Sequence, residues 1–376
     1  MPLGSTLLVL GAAASSLAPG GDDSGEARVR DTLRVDAVEL VDHGQDVPGR
    51  GELGVEHLGY RYLFADEANR GRFLEDPERY EIQLGGSCAR MGPLSSAART
   101  AIHVVYEERL YLFASEACRT VFLAAPERLL EVDEPAPAAT RTERMRGEAL
   151  LELVVQGLGG RERVDGVQSL VERQVEDEGH ESHAGEPEGE EPSGTESGSE
   201  RTFVFPDRMR LDTWYGEWSR ASVVTARDAW YEEAGAEWTL HASQRRALEH
   251  KLLRHPLVLA RLRARPGFLA AHAGRETWKG REVELLRTSY RGATTTLGVD
   301  AASGRVLFAR YRGRGRGAWL GALEVGYGDH RSLAGLELPV TLSVSFDGQP
   351  DPSSSFTWTA IEVDRPLDPR RFLRRD

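Results

Sequence analysis

The sequence predicts an α+β protein: a small tandem strand–helix module, then an open antiparallel β-barrel with a helical lid. Three observations carry this. The stretch "YLFADEANRGRFLEDPER", 62–79, returns forty-nine residues later as "YLFASEACRTVFLAAPER", 111–128, with twelve of eighteen positions identical. From residue 167 onward the chain reads as short alternating apolar segments separated by turn signals, the signature of antiparallel strands. Only two long segments of that second part have helical periodicity, so many strands and few helices imply a strongly curved sheet with helices over its concave side.

The first residues, "MPLGSTLLVLGAAASSLAPGG", carry an apolar run from Leu7 to about Ala18 followed by small residues. This resembles a secretory signal peptide, and an exported, periplasmic or extracytoplasmic protein is expected. Residues 1–30 are read as signal and linker, 31–132 as the repeat module and 133–141, "DEPAPAATR", as a second linker. Residues 142–376 form the larger domain. Within it, 174–200 hold ten acidic side chains and no Lys or Arg, and this tract is expected to be a disordered insert. It accounts for most of the net charge of −13. The remainder has no basic field, so nucleic acid is not expected as a partner. The cations are almost all arginine, with lysine only at 251 and 279, a bias read first as genomic.

Each repeat is an aromatic strand end followed by a capped helix. Asp66 and Ser115 are good N-caps, and Glu67 and Glu116 suit the positive helix end. Phe73 and Leu74, and in the second copy Phe122 and Leu123, are expected to pack inward. Pro77 and Pro126 mark the exits. The cap places Cys118 in the first helical turn, where backbone N–H groups stabilise a thiolate. The first copy has Asn69 at that position.

In the larger domain, "RTERMRGEALLELVVQGLGG" places Met145, Leu150, Leu151, Val154 and Val155 at helical spacing until glycines stop it. "VQSLVERQV", "TFVFPDRMRLDTWY", "EWSRASVVTARDAWYEE" and "AEWTLHA" read as strands. A second helix, 243–265, presents Leu248, Leu252, Leu253, Leu257, Leu259 and Leu262 on one face, and Pro256 should divide it after His255. "REVELLRTSY" leads to a hairpin turning at "DAASG". "WLGALEVGY", "LELPVTLSVSF" and "FTWTAIEVD" complete the strands.

Residues 31–132 resemble the YHS family, a TRASH-related metal-associated module, in duplicate. The resemblance rests on Cys88-Ala89-Arg90-Met91 and on "RLYLFASEACRTVFLAAPERLL", with Ala114 where the family has the first cysteine of its pair. It implies metal ligation, with ligands only partly present here. Residues 142–376 resemble LolA-like lipoprotein-sorting domains, through "ALLELVVQGLGG", "FPDRMRL", "VDAASGRVLFARY" and "YGDHRSLAGLELPVTLSV". That resemblance implies an open barrel whose apolar interior receives a lipid or lipoprotein acyl chain.

Three chemistries are open to Cys88 and Cys118. They could bind a soft or divalent ion such as zinc or copper, with Met91 and His103 as further ligands. They could form a disulfide closing a loop of about thirty residues, adding about 3 kcal/mol. They could also be inert thiols. His180 and His183 have H-x-x-H spacing in the acidic tract. His250 and His255 form no metalloprotease motif, and no serine lies in G-x-S-x-G. A non-enzymatic binding protein is therefore expected. The seven tryptophans are core residues or line an acyl-chain cavity. The residues assigned to such a cavity are Trp214, Trp230, Leu252, Leu253 and Trp319. "RGRGRGAW", 312–319, is read as a solvated loop or a contact for anionic headgroups, hence a peripheral membrane contact. The alternative function is metal binding or redox sensing through Cys88 and Cys118.

Overall fold

The computed structural model describes residues 29–131, 135–176 and 196–375. The expected signal segment, and His180 and His183, lie outside the described residues. The chain divides into two compact units. One comprises the chain to Leu130 with 241–243 and 316–319, and the other comprises the rest from Glu131.

The N-terminal unit holds β1 (Asp31–Leu33), α1 (Ala37–His43), β2 (Arg50–His57), β3 (Tyr60–Phe64), α2 (Glu67–Glu75) and α3 (Pro77–Tyr80). β4 (Arg99–Tyr106), β5 (Arg109–Phe113) and α4 (Glu116–Ala124) follow. Strands β2 and β3 pair as one hairpin, extended by β1, and β4 with β5 as another. Each hairpin leads into a capped helix. Asp66 accepts from the Asn69 N–H, and Ser115 accepts from the Cys118 N–H. Phe73 packs against Tyr62 and Phe64, with ring centroids 4.7 and 5.2 Å away. Phe122 repeats this against Tyr111 and Phe113, at 5.5 and 5.1 Å. The expectation for the neighbouring leucines fails: Leu74 and Leu123 are 54% and 52% exposed. Successive helical residues turn by about 100°, and the phenylalanine takes the side facing the hairpin. Helix α1 was not legible in the repeat pattern. It exists because buried Asp36 caps it, accepting from the Val38 and Glu39 N–H groups.

The C-terminal unit begins with α5 (Arg141–Gly157) and α6 (Arg161–Gly166). A full capping box of Thr140 and Glu143 starts α5, so the helix begins at the last residue of the expected linker. Met145 is 61% exposed rather than core. Gly147 is buried instead, because a Cβ there would stand 2.4 Å from the Ala271 Cα. The helix thus meets a strand backbone to backbone.

Next come β6 (Ser169–Glu176), β7 (Ser197–Val204), β8 (Arg208–Tyr215), β9 (Trp218–Val224), β10 (Ala229–Glu233) and β11 (Ala236–Thr239). The ends of the acidic tract depart from the expected disorder: 174–176 and 197–200 lie in paired strands β6 and β7, and 177–195 lie outside the described residues. Helices α7 (Ala242–Leu253) and α8 (Pro256–Leu262) are divided at Pro256, which sits at the first turn of α8 behind a His255 cap. All six leucines of the expected face are buried. The chain continues through β12 (Leu269–Trp278), β13 (Arg281–Tyr290), β14 (Ala293–Val299), β15 (Val306–Arg314), β16 (Leu320–Leu333) and β17 (Leu336–Phe346). It ends with β18 (Gln349–Pro350), β19 (Phe356–Thr357) and β20 (Ala360–Val363).

These strands form a seven-stranded sheet, order β11-β10-β9-β8-β7-β6-β20, and an eight-stranded sheet, β12 to β18 in sequence with β19 on β17. The expected last strand, "FTWTAIEVD", is therefore two. Phe356 and Thr357 pair with β17, and Ala360–Val363 pair with β6. One tail segment thus joins both sheets. The two sheets are antiparallel throughout.

The close approach at Gly147 gives a direct test. Gly147→Val forces α5 off β12 and lowers stability by about 1–3 kcal/mol, measured as a lower urea midpoint with unchanged slope. An unaltered midpoint would contradict the contact.

Candidate functional site

In the C-terminal unit, Glu172 on β6 lies directly opposite Arg201 on β7, so both point to the same face of the sheet. Phe203 shares that face, and its ring lies 4.9 Å from the His255 imidazole. The face therefore looks toward the α7–α8 junction. Glu172 is 3% exposed. It receives Arg201 at 3.0 Å on one oxygen and the His255 Nε2 at 3.3 Å on the other. Burial pushes the Glu172 carboxyl up, but Arg201 and then His255 more than offset this and hold it below its ordinary value.

The junction also reaches the eight-stranded sheet. The Arg254 guanidinium lies 4.1 Å from the Tyr311 ring centre and donates to the Arg312 carbonyl at 2.9 Å. Tyr311 and Tyr327 share one face of that sheet, since Tyr311 faces Leu323 across β15–β16 and Tyr327 is four residues further on. Burial raises both phenols, and Arg201 opposes the rise in each. Arg201 in turn lies over the Trp358 ring at 4.3 Å. Trp358 sits in the segment that joins the sheets, its N–H bonded to the Val340 carbonyl.

Lys251, one turn before Arg254, completes the group. Its side chain is open to solvent. Even so, surrounding protein desolvates its ammonium, and with Arg201 and Arg254 beside it pushes the value down to about 8 against a weaker pull from Glu131. Among the described residues Lys251 makes no hydrogen bond or ion pair within bonding distance.

Two small cavities flank the helix pair. One of about 20 Å³ is lined by Leu158, Pro256, Val306, Tyr327 and Pro339 among others. One of about 50 Å³ is lined by Val224, Leu252, Leu253, Leu262 and Tyr290 among others.

The five residues expected to line one cavity do not come together. Leu252 and Leu253 border the larger of these spaces. Trp230 packs with Val223 and Phe372 on the opposite sheet face, and the register puts Trp214 on that face too. Trp319 packs against the core of the N-terminal unit. Strand parity decides this: the residues next to Trp230, and not Trp230 itself, face the helices. Sequence reading missed Glu172, Arg201, Lys251 and Arg254. The one signal for them was Lys251, a lone lysine in an arginine-rich chain.

In the N-terminal unit both cysteines are free thiols, 0% and 4% exposed for Cys88 and Cys118. The N–H groups of Ala114, Met91 and Arg90 donate to the Cys88 sulfur. Burial raises the Cys88 thiol, and the neighbouring Cys118 raises it further. At Cys118 burial also pushes upward, but hydrogen bonds from Ser115, Cys88 and Arg90 outweigh it and lower the thiol.

The expected further ligands are engaged elsewhere. His103 bonds the Thr100 carbonyl at 2.9 Å and meets Asp46 at 3.4 Å, and Met91 meets the Arg90 guanidinium. Among the described residues no three His, Cys, Asp or Glu side chains are placed to hold a metal. A guanidinium already stands at the Cys118 sulfur, where a second cation would be repelled. The donor set does not fit a metal centre.

No family model matches the chain, and no curated protein matches it. Among solved structures it is similar to a DUF1329 family protein from Desulfovibrio piger, with 12% identity and TM-score 0.37, over 60% of this chain and 97% of that one. It is similar to a putative outer membrane lipoprotein-sorting protein domain from Vibrio parahaemolyticus, with 10% identity and TM-score 0.37, over 61% and 97%. It is also similar to a LolA superfamily protein from Nitrosomonas europaea, with 14% identity and TM-score 0.38, over 61% and 97%.

Glu172→Leu leaves Arg201 without its carboxylate and should cost about 3–5 kcal/mol. The native carboxyl is depressed, so its contribution is present above the ordinary glutamate value and is lost as pH falls through the folded value. Urea unfolding between about pH 7 and about pH 4 should show a smaller pH dependence in the variant. Equal slopes would contradict the coupling.

Proposed function

We propose that the C-terminal unit binds an amphiphile with an acidic head group, such as a fatty acid or a lipid phosphate, between the two sheets and the α7–α8 pair. The observation that carries this reading is Lys251. It is a solvent-reached ammonium, partly desolvated by surrounding protein and near Arg201 and Arg254, without a counter-ion in bonding reach among the described residues. An anion entering there gains from three cations in a medium where charge is poorly screened. Tyr311 and Tyr327 offer hydroxyl groups on the same side.

The tail follows the apolar side of α7 and α8. Its starting points are the cavities beside Leu252 and Leu253 and beside Pro256 and Tyr327. Those cavities are water-sized, far below the 300–1,000 Å³ or so of a ligand pocket. Filling them requires the helix pair to shift from the sheets. The divided helix suits such a shift, because Pro256 already interrupts its hydrogen bonding. The reading agrees with the lipid or acyl-chain ligand expected from the sequence, and adds the charge of the head group. It describes a carrier or receptor rather than a catalyst.

Two probes test it: a long-chain fatty acid and the alcohol of equal length, titrated against the whole protein by calorimetry. The acid should bind more tightly than the alcohol. Lys251→Met should weaken the acid about tenfold, or 1.4 kcal/mol, and leave the alcohol unchanged. Binding of neither probe would overturn the reading, and equal binding of both would overturn the assignment of the head group.

The empty site predicts a stability effect of the opposite sign. The folded ammonium value of about 8 lies below the ordinary lysine value of about 10.4. Stability therefore rises as pH climbs from about 8 toward about 10.4. Lys251→Met should raise the thermal midpoint at neutral pH and flatten that rise, as read by scanning calorimetry.

A further inference from the structure

The two repeats of the N-terminal unit share one polar centre built from different atoms. In the first copy the Asp36 carboxylate is 0% exposed. One oxygen accepts from the Val38 and Glu39 N–H groups at 2.8 and 3.2 Å. The other accepts from the Ala65 N–H at 2.7 Å and the Asn69 side-chain amide at 3.0 Å. In the second copy the Cys88 sulfur accepts from the N–H groups two and three residues on, Arg90 and Met91, and from Ala114. Ala114 is the repeat counterpart of Ala65, and Cys118 is the counterpart of Asn69. Cys88 therefore occupies the seat of a buried anion, and Cys118 occupies the seat of its hydrogen-bond partner.

We infer that Cys88 and Cys118 form a peroxide-responsive dithiol that closes reversibly to a disulfide, with Cys118 attacking first and Cys88 resolving. Cys118 stands at the third residue of α4, with Ser115 and the Arg90 guanidinium at its sulfur. These groups stabilise a thiolate. The thiolate attacks one oxygen of a small peroxide, the O–O bond breaks, and the departing hydroxide takes a proton to leave as water. Cys118 is then a sulfenic acid.

Cys88 gives up its proton to the departing oxygen and attacks the Cys118 sulfur. The S–O bond breaks and a second water leaves. Two thiols have lost two electrons and two protons, and the peroxide has gained both. The three backbone donors that hold a carboxylate in the first repeat stabilise the Cys88 thiolate during its attack. With 0% and 4% exposure, the pair excludes a bulky disulfide, so the oxidant has to be a small molecule and enters at the slightly exposed Cys118. A dithiol reductant reverses the bond.

The test uses the whole chain, reduced, desalted and treated with hydrogen peroxide under native conditions. Thiol titration and intact mass are then read. Both thiols should disappear together, with loss of two hydrogen atoms, and dithiothreitol should restore both. Cys88→Ala should instead trap Cys118 with one or more added oxygens. Arg90→Gln should slow oxidation several-fold.

The double variant Cys88→Asp with Cys118→Asn rebuilds the first repeat's centre in the second, so it should fold and show no thiol chemistry. Two outcomes overturn the inference: both thiols surviving in the native chain while the urea-unfolded chain oxidises, or Cys118 gaining oxygen in the wild type without a bond to Cys88. Failure of the double variant to fold would overturn the equivalence of the two centres.

Discussion

The C-terminal unit depends on one buried ion cluster. Glu172 lies almost wholly inside, between Arg201 and His255. Such a group is costly to bury and is retained only when its charge is met on more than one side. Its partners come from two elements: Arg201 from the neighbouring strand and His255 from the cap of α8. The cluster therefore fixes the break between α7 and α8 against the seven-stranded sheet. Arg254, the residue before the cap, fixes the same break against β15 of the other sheet. A helix interrupted by proline would otherwise be a weak joint. Here the interruption is where the two sheets are held to a common element, and the tail through Trp358 closes the arrangement by pairing with both.

Local patterns were legible where one physical effect dominates. Pro256 divides the helix because it lacks an N–H, and Asp66 and Ser115 cap because each side chain accepts the N–H three residues on. The six leucines of α7 and α8 are buried because they share one stripe. Patterns failed where a partner's backbone decided the outcome. Met145 had the right spacing for a core residue, yet α5 lies so close to β12 that only Gly147 fits. The tryptophans failed for a related reason. A strand with large residues on both faces does not say which face meets the helices, and the register placed Trp230 away from them. The charged cluster was invisible because its members lie far apart in sequence, Glu172 being 29 residues from Arg201 and 83 from His255.

The repeat shows the same limit in a more informative form. Sequence alignment of the two copies pairs Asn69 with Cys118 but leaves Cys88 without a counterpart, because Asp36 lies at a different spacing from its hairpin. Only the hydrogen bonds reveal the correspondence. A carboxylate and a thiol each collect N–H groups from two and three residues ahead and from the strand end. The scaffold therefore holds a position for an acceptor, whatever its element. The second copy differs in having a partner that can be oxidised.

The lysine at 251 ties the energetics of the empty unit to its filling. The chain uses arginine for nearly every cation and lysine at only two positions. An arginine at 251 would remain charged under all conditions, so beside Arg201 and Arg254 it would add a fixed repulsion to the empty unit. Lysine can lose its proton. With a value lowered to about 8 the amine loses its proton at a much lower pH than an ordinary lysine, so the empty unit can relieve part of the repulsion by proton release as pH rises above neutral. An arriving anion reverses the balance, because its charge favours the ammonium and a proton is taken up on binding. The same residue therefore lowers the repulsion among the cations when no anion is bound and strengthens the contact when one is. A bias that looked genomic from composition alone acquires a physical role at this one position.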